Sequence, residues 1–147
     1  MKIINEKIDL AKALCIYAHQ GQFDKGGNSY YHHPFAVSEK MSSEDEIIAA
    51  LLHDVIEDTF VSTDTIRNLF GEIITEAVLS LTRNDDEEYM DFIKRTKMNP
   101  IARAVKLADL EHNMDTTRLG EVTEKDEKRM EKYRIARKYL LGEQDIK

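Results

Sequence analysis

A chain of 147 residues with 41% hydrophobic and 33% charged residues has the composition of one globular domain, and at that length it can bury roughly 70% of its unfolded surface without staples. A formal net charge of −7 disfavours a phosphate backbone as partner, so no nucleic acid is expected, whereas a small phosphorylated ligand stays open because a metal ion can supply the positive charge. The single cysteine, Cys15, excludes an internal disulfide, and no apolar run approaches the ~18 residues of a membrane span, so the expected setting is the reducing cytoplasm with no membrane partner.

In chain order, the opening "MKIINEKIDLAK" mixes charges with apolar residues and does not read as a signal peptide. Ile4, Ile8, Ala11, Cys15 and Ala18 recur at three- and four-residue steps, predicting a helix over 3–19. A polar, Gly-rich loop, "GQFDKGGNSYY", follows. Pro34 sits in the first turn of a helix expected from about His33 to Met41. Ser43 and Glu46 have capping-box spacing at the start of a helix expected to run unbroken through "IIAALLHDVIED". "STDTIRNLFG" reads as a short capped helix closed by Gly71. Helices are expected over 72–82, 87–97, from Pro100 to about Thr117, and over 123–141, where "EKDEKRMEKYRIARK" alternates charges like a solvated face. No segment sustains a period of two. The expected architecture is all-α, a single compact domain over 1–147 with seven or eight helices.

The segment "IIAALLHDVIEDT" raises the functional question, because it is apolar from Ile47 to Leu52 and then carries His53, Asp54, Glu57 and Asp58. On a continuous helix these four fall within an arc of about 140°. The helix is otherwise apolar nearly all round and should be buried, where unpaired charge is costly. A divalent metal held by imidazole and carboxylate would compensate directly. The alternative is that Glu57 and Asp58 are a solvated helix end and His53 simply packs. Partners are available in "YYHHPF", where either His32 or His33 could serve, and in "ARAVKLADLEHNMDT", where Asp109 and then Asn113 interrupt an apolar helix. Alone, Asp109 reads as an ion pair with Lys106 three residues back.

Taken together, "HPF", "ALLHDVIEDT" and "VKLADLEHNM" resemble the motifs of the HD superfamily of metal-dependent phosphohydrolases, most closely the hydrolase domain of the RelA/SpoT alarmone enzymes and the small stand-alone alarmone hydrolases. The resemblance implies an HD-domain helical bundle with metal ligands His33, His53, Asp54 and Asp109, and usually manganese as the metal. Two imidazoles and two carboxylates suit Mn, Fe, Co or Zn better than Mg or Ca. The resemblance also implies Glu57 and Asp58 as the catalytic acidic pair and Asn113 as a nucleotide contact.

The loop before His33 departs from the family pattern. Phe23, Lys25 and Tyr30 fit, but Asp24 stands where an arginine that packs on the guanine base is expected, and Ser29 stands where proline is. Lys25, Arg83 and Arg118 are candidate phosphate contacts, with Asp24 a candidate acceptor for guanine N1 and N2. The expected activity is hydrolysis of a phosphorylated nucleotide, foremost removal of pyrophosphate from the 3′ position of guanosine 3′,5′-bis(diphosphate). The alternatives are an HD phosphohydrolase of another nucleotide or small phosphate ester, and a metal- or nucleotide-binding sensor without turnover.

Overall fold

The computed structural model describes residues 5–24, 26–115 and 121–145. Among them are eight helices of at least eight residues and one single turn: α1 (Glu6–Ala18), α2 (His32–Glu39), α3 (Glu44–Leu52), the turn α4 (Val55–Asp58), α5 (Thr63–Phe70), α6 (Glu72–Ser80), α7 (Tyr89–Lys97), α8 (Pro100–Asn113) and α9 (Glu124–Leu140). The described residues contain no strand, only an isolated bridge between Phe23 and Ser29.

Local chemistry sets the boundaries. Helix N-termini leave backbone N–H groups without partners, and short polar side chains satisfy them. Ser43 and Glu46 form the expected capping box at α3, and Thr123 and Asp126 form another at α9. Ser62 caps α5 through the Thr65 N–H, and Asn99 caps α8 through the Ala102 N–H, with Pro100 in the first turn. Gly71 ends α5 and starts α6 in one step, with φ 89° and ψ 179°, a region essentially reserved for glycine.

Helix α3 is central because, past its acidic first turn, it is apolar from Ile47 to Leu52. Ile48, Leu51 and Leu52 join a core with Ala11 and Ala18 of α1, Ile66 and Phe70 of α5, and Ile74 and Val78 of α6. Ala49 and Ala50 look the other way, and their small side chains admit Ala102, Val105 and Ala108 of α8. Beyond α8, Leu110 joins Phe92 and Ile93 of α7 and Ala136 and Leu140 of α9 in a further cluster.

Two expectations need correction. The helix through "IIAALLHDVIED" is broken: α3 ends at Leu52, and the His53 N–H reaches back three residues to the Ala50 carbonyl at 3.4 Å, a tightened turn. Asp54, at φ −108° and ψ 0°, carries the bend into α4. A regular helix would aim His53 and Asp54 about 100° apart, and the break turns them toward one point. The second correction concerns α8, which stops at Asn113 rather than near Thr117. Residues 116–120, which include the candidate Arg118, lie outside the described residues, as does Lys25.

Candidate metal centre and adjoining pocket

Three separate elements deliver one polar cluster into the apolar interior. His33 comes from the first turn of α2, His53 from the break after α3, and Asp109 from the middle of α8. All three are buried, and their ligating atoms lie within 4.8 Å of one another, an arrangement able to hold a metal ion. Asp109 Oδ1 is the hub, 2.7 Å from His33 Nε2 and 3.3 Å from His53 Nε2. Asp54 does not join that mutually close group but abuts it, with Oδ2 3.1 Å from His53 Nε2. His32, the alternative to His33, instead stacks on Tyr31 at 4.5 Å between ring centroids.

Each of these groups has an outer partner that aims it. His53 Nδ1–H donates to the Ala50 carbonyl at 2.6 Å. That bond leaves Nε2 to face the two carboxylates of Asp54 and Asp109. No well-directed hydrogen bond reaches Nε2, although both oxygens are near. The Tyr30 hydroxyl donates to Asp54 Oδ2 at 2.5 Å. Lys106 Nζ donates to Asp109 Oδ2 at 3.0 Å, and Asn113 Nδ2 to Asp109 Oδ1 at 3.1 Å. The pair with Lys106 anticipated as an alternative is therefore present alongside the histidine contacts: one carboxylate oxygen serves each.

The electrostatics point the same way. Burial opposes charge on Asp109, Asp54 and His53, yet nearby opposite charge prevails. Burial would raise Asp109, but Lys106 and His53 hold it well below the usual carboxylate range. Burial likewise opposes ionisation of Asp54, which the neighbouring His53 brings to about 2. Burial would lower His53, and Asp54 with Asp109 carry it well above the ordinary imidazole value. The site thus demands positive charge between His53 Nε2 and its two carboxylates. A proton can supply it, and a divalent ion on imidazole and carboxylate donors fits the same demand.

Beside the cluster opens a cavity of about 220 Å³. Glu57 and Asp58, on α4, flank it with Asn113. Both carboxyls reach solvent, and both are raised above their ordinary values, first by the surrounding protein and then by negative neighbours, Asp58 for Glu57 and Asp54 for Asp58. Arg83, Lys106 and Lys132 line it too, with the rings of Tyr89 and Tyr133. Lys132 Nζ lies 4.3 Å over the Tyr89 ring, and burial followed by the charges of Arg83, Arg129 and Lys106 holds its pKa below the ordinary value. Arg83 donates from Nε to the Glu87 carbonyl at 2.8 Å.

Of the expected contacts, Asn113 and Arg83 line this cavity. Asp24 sits in the loop, where its Oδ1 accepts the N–H groups of Gly26 at 2.9 Å and Asn28 at 3.0 Å. Several participants were not singled out from sequence. Lys132 and Tyr133 belong to the stretch that reads as a solvated face, and the alternating charges conceal the two positions that turn inward. Tyr30, which fits the loop pattern, aims Asp54, and the unforeseen His112 meets His33. The signal for His112 was present, since it lies three residues after Asp109 and so on the same face of α8.

A helical fold that gathers histidines and aspartates from distant elements into one buried cluster, with acids and bases around an open pocket, defines the class. The chain belongs to the HD domain family, which matches residues 11–147. It is 32% identical over 114 residues to guanosine-3′,5′-bis(diphosphate) 3′-pyrophosphohydrolase of Haemophilus influenzae, covering 67% of this chain and 17% of that protein. It is 34% identical over 114 residues to the bifunctional (p)ppGpp synthase/hydrolase SpoT of Escherichia coli, covering 67% and 16%. Against GTP pyrophosphokinase of Streptomyces coelicolor it is 31% identical over 113 residues, covering 68% and 13%. The alignments thus take in less than a fifth of these relatives' length. Among solved structures, a metazoan ortholog of SpoT that hydrolyses ppGpp superposes with a TM-score of 0.77 over 96% of this chain and 88% of that one. At 23% identity that likeness establishes the fold. Among the described residues no helix is long and apolar enough to cross a membrane.

Proposed function

We propose that this chain is a metal-dependent phosphohydrolase working as one HD-type domain over 1–147 in the cytoplasm, and that it removes pyrophosphate from the 3′ position of guanosine 3′,5′-bis(diphosphate). The observation that carries this reading is the buried cluster of His33, His53 and Asp109, with Asp54 against it, beside a pocket lined by both carboxyls and cations. His33, His53, Asp54 and Asp109 would hold a divalent transition ion, manganese foremost. When bound, such an ion activates water near neutral pH and neutralises phosphoryl charge. The names of the relatives supply the choice of guanosine alarmone.

The chain's own groups take the remaining work. Glu57 and Asp58 orient and deprotonate the attacking water and assist the departing 3′ oxygen, from carboxyls that line the pocket beside the cluster. Arg83 and Asn113 bind the nucleotide's polar groups from the pocket wall. Lys25 and Arg118 remain candidate phosphate contacts, and Asp24 a candidate contact to the base. The test is turnover by the manganese-loaded protein on a panel of guanosine and adenosine 3′-pyrophosphorylated nucleotides, ordinary nucleoside triphosphates and simple phosphate esters. Release of pyrophosphate from the guanosine alarmone, with a specificity constant above those of the others, is the expected result. Faster turnover of another ester would reassign the substrate, and binding without turnover would make the domain a sensor.

A further inference from the structure

One turn of α8 grips both nitrogens of a single imidazole. Asp109 Oδ1 lies 2.7 Å from His33 Nε2, and His112 Nδ1, three residues on, lies 2.6 Å from His33 Nδ1. The two rings are 29° from parallel, with centroids 4.8 Å apart. That separation is close to the N···N distance plus one ring radius at each end. The rings therefore meet edge to edge, and the contact is an N–H···N hydrogen bond rather than a face-to-face stack. One nitrogen must donate and the other accept. Which one donates decides whether His33 Nε2 offers a lone pair.

We propose that His112 is a positioning residue: its Nδ1 accepts the His33 Nδ1–H and so keeps His33 Nε2 available to the ion. The inference rests on the metal-site reading above. The neighbouring histidine shows the same design with a different acceptor. His53 Nδ1–H is donated to the Ala50 carbonyl, a group that can only accept, so its tautomer is fixed by the main chain. His33 has an imidazole in place of the carbonyl, and an imidazole can accept or donate. Asp109 Oδ1 also only accepts, so either a proton or an ion must lie between it and His33 Nε2; with His112 donating, that place is held by the proton and the nitrogen is closed to an ion. Asp109 and His112 share one face of α8, so a single rigid element sets both contacts at once.

Two measurements on the full chain test this. The first is long-range ¹H–¹⁵N NMR of the ¹⁵N-histidine-labelled protein loaded with Zn²⁺ as a diamagnetic probe. The expected spectrum has a proton on His33 Nδ1 and none on His112 Nδ1; a protonated His112 Nδ1 overturns the proposal. The second is Zn²⁺ and Mn²⁺ affinity. His112→Phe fills the same space without an acceptor and should weaken binding about 10- to 100-fold. His112→Asn keeps an acceptor near the Nδ1 position and should restore most of that loss. Equal affinity for parent and His112→Phe refutes the role of His112 while leaving the metal centre standing. A parent that binds neither ion refutes the metal reading, and this proposal with it. If His112→Phe fails to fold, the spectrum of the parent still decides.

Discussion

At the scale of single residues, the proposed division of labour separates groups that hold an ion from groups that act on water. Glu57 and Asp58 lie beyond the break, open to solvent, and outside the cluster of mutually close ligating atoms. Glu57→Gln and Asp58→Asn should therefore retain metal in elemental analysis yet lose about 10²- to 10⁴-fold in turnover, the usual worth of a positioned acid or base. Parent-like rates in both would make the pair a solvated helix end. Cys15 supplies a contrasting case. It is fully buried on α1, and burial, then the Asp54 charge, pushes its thiol up to about 12. Native protein at pH 8 should be alkylated by iodoacetamide far more slowly than urea-unfolded protein, because so little thiolate forms; comparable rates would show an accessible thiol. Asp24 shows what a residue's identity conceals. Its place in the motif suggested a base contact, while its Oδ1 holds two N–H groups of the loop.

At the scale of elements, two joints deserve quantitative tests. Gly71 joins α5 to α6 at φ 89°, and a Cβ added there would meet nothing within 4 Å. Gly71→Ala should thus destabilise by backbone strain alone, about 1–3 kcal/mol by chemical denaturation. No loss would mean that the joint relaxes. The second joint ties α7 to the end of α6. Arg95 makes a two-point contact with Glu87, both at 2.9 Å, and donates to the carbonyls of Leu79 at 2.9 Å and Thr82 at 2.6 Å. The hydrogen bond from Arg95 is the leading reason that Glu87 is lowered below its ordinary value. A lowered carboxyl contributes stability above its unfolded pKa of about 4.3, and that contribution is lost as pH falls through the folded value. Arg95→Met should cost about 1.5–3 kcal/mol near neutrality and flatten the acid limb of stability between that unfolded value and the lower folded one. A parallel acid limb in parent and variant would contradict the linkage.

At the scale of the whole molecule, α3 and α8 do two jobs: they fill the core, and they place His53, just past the end of α3, and Asp109, on α8, in one buried polar cluster. That is why much was legible in the sequence. Ser43, Glu46, Ser62, Gly71 and Pro100 announce their boundaries locally, and His53 and Asp109 stand out as polar interruptions in apolar runs. The break at His53–Asp54 was not legible, because it results from the convergence of three elements and the apolar pattern runs straight through it. Lys132 and Tyr133 were hidden for a similar reason: their orientation is set by where α9 docks. The central claim is that this cluster holds one divalent ion, and the most direct measurement is Mn²⁺ binding by calorimetry to the parent and to His53→Ala, Asp109→Asn and His32→Ala, with folding of each checked by circular dichroism. One ion per chain is expected in the parent and in His32→Ala, and loss of binding in folded His53→Ala and Asp109→Asn. Full occupancy in both of those variants, or loss confined to His32→Ala, would contradict it.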